Sequence, residues 1–189
     1  RTTDVTIDDR VNIAVNLDVS GNSKLTVKAP VAASSITVTN NSVIRHAPTT
    51  AAVTFKLDLE SNSLTIDSTS RIDVTGRGFL GGGQPGNPNS TNGMTVGFQA
   101  VNGAGTAGSY GGLGGAFSGA TNLAYGDFRN PNEAGSGGGG FNTNAAGNGG
   151  GIVRIVTQAL TLNGAIRADG GAPLSGGFAA GGSGGGIRI

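Results

Sequence analysis

One short apolar pattern occurs twice in this chain, and 26 of its 37 glycines lie from Gly76, where the first copy ends, to Gly151, just before the second. The first copy carries Leu57, Leu59, Leu64, Ile66, Ile72 and Val74 and ends at Gly76; the second carries Val153, Ile155, Leu160, Leu162, Ile166 and Ala168 and ends at Gly170-Gly171. Every interval agrees except one turn, where 67–71 is two residues longer than 163–165. A third copy opens at Gly184-Gly185-Gly186-Ile187-Arg188-Ile189, repeating Gly149-Gly150-Gly151 and Val153-Arg154-Ile155. Apolar and polar residues alternate within each copy, the period of a strand with one buried face. Three short strands per unit, separated by small polar turns such as Glu60-Ser61-Asn62-Ser63, are what one coil of stacked parallel strands needs.

Residues 1–75 contain a single glycine, Gly21, and continue the alternation upstream. Val5 and Ile7 open it, then Val11, Ile13, Val15, Leu17 and Val19. Gly21-Asn22 and Asn40-Asn41 read as turns, with Leu25, Val27, Ile36, Val38 and Val43 in strands around them. Helix formers are scarce and β-branched residues common. The expected fold is all-β: a parallel β-helix (β-solenoid) with a long glycine-rich insertion. Coils would occupy 1–75, an ordered insertion 76–151, and continuing coils 152–189, with a second short glycine-rich loop at 170–186. The alternative is an antiparallel β-sandwich of short strands, although hairpin turns do not generate an internal copy of a whole unit.

The charge balance excludes several function classes. Net charge is +1 with 12% charged residues, so no basic field exists to hold nucleic acid or anionic lipid. The chain has no cysteine, which removes disulfides and zinc–thiolate sites. No apolar run in these residues reaches membrane-spanning length, and no basic-then-apolar stretch of the signal-peptide kind occurs among them. The chain begins at Arg1 and stops at Ile189 in the middle of a coil, so the expectation is a fragment of a longer array or a subunit whose open ends meet those of its neighbours.

The glycine-rich stretch is short of side chains that bury surface, yet together with the second loop it holds eight of the nine aromatic residues: Phe79, Phe98, Tyr110, Phe117, Tyr125, Phe128, Phe141 and Phe178. An ordered arrangement must rest on backbone hydrogen bonds, and closely packed extended segments of the polyproline-II kind are one solution. There is no strict three-residue glycine period, so collagen is excluded.

Catalytic patterns fail individually. Gly103-Ala104-Gly105-Thr106-Ala107-Gly108 matches a dinucleotide fingerprint without a clear preceding strand or a following helix. Gly181-Gly182-Ser183-Gly184-Gly185 matches a nucleophile elbow, but the one histidine, His46, sits near Pro48 in an expected surface turn. Asp58, Asp67 and Asp73, with Arg71 and Arg77, could converge for acid–base chemistry or for calcium, the one cofactor considered; solubilising an exposed face is the plainer role. The expectation is no enzyme, no catalytic residues and no required metal.

Ligand or assembly candidates lie in the insert: Tyr110, Phe117, Tyr125, Asp127, Phe128, Arg129 and Glu133. The segment 125–133 concentrates two acids, an arginine and two aromatics, readable as a glycan contact or as a clasp in which Asp127 or Glu133 pairs with Arg129. The stretch from Tyr125 to Gly140, Ser109-Tyr110-Gly111-Gly112-Leu113-Gly114-Gly115, and Ser70-Arg71-Ile72-Asp73-Val74-Thr75-Gly76-Arg77-Gly78 with its later counterpart resemble the glycine-rich repeat modules of very large bacterial exported proteins. The resemblance covers roughly 55–189. It implies a structural, surface or adhesive role outside the cell and carries over no catalytic residue; the expected partners are a second copy or neighbouring repeats, meeting through open strand edges, or surface glycans, meeting the loop aromatics.

Overall fold

A computed structural model describes residues 3–142, 144–174 and 177–189. The alternating segments form β1 (Asp4–Ile7), β2 (Val11–Val19), β3 (Lys24–Val27), β4 (Val31–Val38), β5 (Val43–His46), β6 (Leu57–Ile66) and β7 (Arg71–Asp73). A short hairpin, β8 (Gly93–Thr95) and β9 (Gln99–Asn102), lies inside the insert, and β10 (Val153–Leu162), β11 (Ala165–Arg167) and β12 (Ile187–Arg188) follow it. No α-helix occurs among the described residues.

From β2 to β7 successive strands alternate between two five-stranded sheets, ordered β1-β3-β5-β7-β11 and β12-β10-β6-β4-β2. Every pairing in both is parallel, which replaces the antiparallel sandwich alternative. The copies seen in the sequence pair with each other residue for residue: Leu57 with Val153, Leu64 with Leu160, Ile72 with Ile166, and Val153 in turn with Ile187. Inward positions therefore stack in columns. Leu17, Ile36, Leu64 and Leu160 make one, and Val5, Leu25, Ile44, Ile72 and Ile166 another. Both sheets feed one core, in which Val27, Val38, Ile44, Leu57, Leu64, Ile66, Ile72, Val74 and Val153 are fully enclosed; each such side chain contributes ~1.5–3 kcal/mol.

The expected turn at 60–63 is absent. β6 runs unbroken from Leu57 to Ile66, so a unit has two strands, one of them bent, rather than three. Buried positions go Leu57, Leu59, Ser61 and then Leu64, a step of three instead of two. Pairing resumes at Ser63 after skipping Asn62, and the neighbouring strands skip Ser34 and Gln158 at the same level. Parallel neighbours on both sides keep the backbone in the ladder, so polar composition there produces a bend rather than a reversal.

One corner is tight: Gly21, Asn22, Asn40 and Asn41 all adopt positive φ, and the Ser42 and Ser70 hydroxyls accept from the amides of Ser23 and Ser42 in the adjacent tiers. The opposite corner holds every excursion. Three residues connect β3 to β4 there, while 47–56, the long insert and 168–186 all leave from the same side.

The insert packs as extended segments around 135–140, which is buried throughout. Gly135 and Gly138 donate to the carbonyls of Gly150 and Gly147, and Gly137 and Gly140 to those of Met94 and Thr91. The carbonyls of Gly135 and Gly138 accept from Phe79 and Gly82, and those of Ser136 and Gly139 from Ser183 and Ala180. Each neighbour recurs every third residue, the repeat of a polyproline-II segment. Close approach requires glycine here: a Cβ on Gly139 would overlap the Gly103 carbonyl oxygen. A small second core of Phe79, Leu80, Met94, Ala134 and Ile152 seals this bundle against the sheets.

Candidate functional site

The seven candidate residues separate into three places. Tyr110 and Tyr125 meet edge to face at 5.2 Å. The Tyr125 hydroxyl donates to the Ala134 carbonyl at 2.5 Å and accepts from Ser136 Oγ at 3.0 Å, while Ser136 Oγ lies 2.7 Å from Thr95 Oγ1. Burial pushes the Tyr125 phenol up to about 12, and burial together with the Glu133 charge raises that of Tyr110. This is a half-buried polar cluster bracing the start of the 135–140 segment.

Asp127, Phe128 and Arg129 form an exposed tip. Asp127 Oδ1 accepts from the Arg129 amide at 2.8 Å, and the Asn130 amide donates to the Asp127 carbonyl, closing a turn. Phe128 is 84% exposed, with the Arg129 guanidinium 4.7 Å above its ring. The expected clasp is not formed: among the described residues no ion pair includes Asp127, Arg129 or Glu133. The aspartate is spent on the turn amide, Glu133 accepts from Asn132, and the arginine prefers the ring face.

Phe117 lies elsewhere. It stacks on Phe178 at 5.0 Å and 7° and meets Phe141 edge on at 6.2 Å, with Phe141 and Phe178 at 5.4 Å. Phe117 and Phe178 remain largely exposed. Candidate selection by sequence reached only one member of this trio, because Phe141 and Phe178 come from different excursions.

His46 is a correction. It is the last residue of β5, fully buried, not a surface turn residue. Its Nδ1 lies 2.6 Å from the Ala47 carbonyl, which can only accept, so Nδ1 carries the proton; Nε2 accepts from the Ile152 amide at 3.1 Å. Burial, with the Arg77 charge adding to it, lowers its pKa from 6.5 to about 4. Both ring nitrogens are engaged, which removes it as a base for Ser183, whose Oγ accepts from the Ser136 amide. The signal was present in the sequence: His46 follows Ile44 by two, as the inward Val27 follows Leu25.

The aspartates do not converge. Asp58 accepts from Arg154 at 2.7 Å on one sheet, Asp73 pairs with Arg71 at 3.0 Å on the other, and Asp67 caps a corner by accepting from the Asn40 and Thr69 amides. Hydrogen bonding, led by the Asn40 amide, lowers the Asp67 carboxyl to about 2. Among the described residues no three His, Cys, Asp or Glu side chains come together to hold a metal. The Gly103–Gly108 pattern does follow a strand, β9, but opens no helix and aims no helix N-terminus at a phosphate.

No family model, no curated protein and no solved structure matches the chain.

Proposed function

We propose that this chain is a non-enzymatic structural module of a bacterial surface fibre or adhesin, built as a parallel β-helix whose glycine-rich excursions form a rigid lateral bundle. It would act outside the cell and associate through its strand edges with a second copy or a neighbouring repeat.

The observation that carries this reading is the tier at β10, which β12 begins to extend in the same parallel register. Leu64 and Ile66 are fully buried, whereas their column partners Leu160 and Leu162 are 36% and 42% exposed. β12 pairs with β10 only at Val153 and Arg154. An apolar rung with unpaired backbone groups is a template for a further parallel strand.

Sedimentation velocity and electron microscopy over a concentration series test it. The expected result is concentration-dependent growth into elongated particles, abolished by Leu162→Lys. A monomer at every concentration would remove self-association from the proposal.

A second reading, a glycan-binding adhesin using the loop aromatics, is favoured by the exposed rings of Phe117, Phe128 and Phe178. Binding to a polysaccharide panel lost in both Phe128→Ala and Phe117→Ala would select it.

A further inference from the structure

The bend in the long strands has a second consequence. The outer face of that sheet is hollowed at the level where Ser34, Asn62 and Gln158 align in β4, β6 and β10. The result is a trough of about 500 Å³ crossing β2, β4, β6 and β10. With strands ~4.8 Å apart, it runs about 14 Å along the stacking direction.

Its lining is side-chain polar chemistry on a fixed frame. The Gln158 amide donates to Asn62 Oδ1 at 3.5 Å, and Ser61 Oγ donates to Thr157 Oγ1 at 3.3 Å. Asn12, Ala32, Glu60 and Val156 stand in one row across the four strands, interleaving polar groups with small apolar ones. Arg10 and Glu60 supply one charge of each sign. The hollow continues towards Asp58, which already holds Arg154.

We propose that this trough binds an extended neutral polysaccharide. Amides and hydroxyls repeating at the tier spacing suit a chain of hydroxyl groups, each able to donate and accept. The balanced charge argues against an anionic polymer. A peptide adding as a strand would pair along the open edge of β10, whereas the trough floor at β4 and β6 lies on strands that have parallel neighbours on both sides. The site opens on the sheet face and reaches β10 at Val156, Thr157 and Gln158, and its readout, a sugar-dependent shift, is separate from the particle growth that tests the assembly reading.

The test is a ¹H–¹⁵N NMR titration of the chain with neutral hexasaccharides of the glucan, mannan and galactan types, with oligogalacturonate as the anionic comparator. The expected result is saturable shifts of the Asn62 and Gln158 side-chain amides with at least one neutral sugar. Affinity should fall at least about tenfold in an Asn62→Ala/Gln158→Ala double variant with unchanged thermal midpoint. The proposal is overturned by no shift with any neutral sugar at millimolar concentration, by binding of the anionic oligomer alone, by shifts confined to the surroundings of Phe117 and Phe128, or by a double variant that binds as well as the parent.

Discussion

His46 Nε2 accepts a hydrogen bond from the backbone N–H of Ile152 at 3.1 Å, joining the end of β5 to the residue where the chain re-enters the sheets after the insert. The contact is tight enough that Gly151 admits no side chain, since a Cβ there would overlap the imidazole. Arg77 donates to the His46 carbonyl at 2.8 Å from the opposite end of the junction. One neutral imidazole thus holds the glycine-rich bundle against the strand stack.

Protonating that ring removes the acceptor and places a charge beside Arg77. The folded state resists protonation until about pH 4 while the unfolded chain binds the proton near 6.5, so stability is full above 6.5 and declines as pH falls towards 4. The change amounts to about 3 kcal/mol. Urea midpoints measured from pH 7.5 to 4 should fall accordingly. The chain has no other histidine, so His46→Asn should lie lower at pH 7 and lose the slope; an unchanged slope would refute the assignment.

Asp67 acts in a separate window. Its carboxyl is lowered from 3.8 to about 2, so its contribution is complete above 3.8 and disappears as pH falls to 2. Asp67→Asn should be indistinguishable from the parent in the shape of its stability profile above pH 5 and diverge only below 4, as followed by acid-induced loss of far-UV dichroism.

The two tyrosines offer a spectroscopic check of the insert's interior. Ultraviolet titration at alkaline pH should find neither phenol at 10, with the Tyr125 step near 12. Tyr125→Phe strips the Ala134 carbonyl and Ser136 hydroxyl of a partner and should cost ~1–3 kcal/mol. Faster amide exchange confined to 135–140, with the sheet amides unaffected, is the expected signature.

Gly139→Ala is expected to break the bundle but not the sheets, because the added methyl meets the Gly103 backbone, which has no rotamer by which to yield. Near-UV dichroism of the tyrosines should collapse while the far-UV β signal persists. Simultaneous loss of both signals would show that sheets and insert fold as one unit.

Leu64→Ala and Leu160→Ala delete the same side chain from one column at different depths. Enclosure of Leu64 on all sides predicts a loss of ~2–5 kcal/mol. The half-covered Leu160 should lose less than half as much in dilute solution. Chemical denaturation of the two variants side by side decides this.

The columns of the core are legible in the sequence because side chains facing one interior must alternate, and tiers stacked in parallel must repeat that alternation at a fixed offset. The equivalence of Leu57 with Val153, and the two-residue deletion in one turn, follow from spacing alone. Where the reading failed, a three-dimensional neighbour overrode local chemistry. Glu60-Ser61-Asn62-Ser63 has turn composition, but strands on both sides hold it in the ladder. His46 has surface composition, but it occupies an inward rung where two backbone partners satisfy it. The Phe117–Phe141–Phe178 cluster was illegible because its members come from three separate stretches of chain.

What the sequence by itself determined is the strand stack: periodic burial is a local code, and a repeated code specifies register. It also determined that the glycine-rich block could be ordered only through its backbone. Tertiary structure alone decided which backbone groups meet there, because glycine carries no side chain to encode a partner and each N–H in 135–140 is as able to pair with one segment as with another. The choice falls to the sheet corner from which all the excursions leave, which sets the segments side by side, and to the few side chains, His46, Tyr125 and Ser136 among them, that pin the bundle in place.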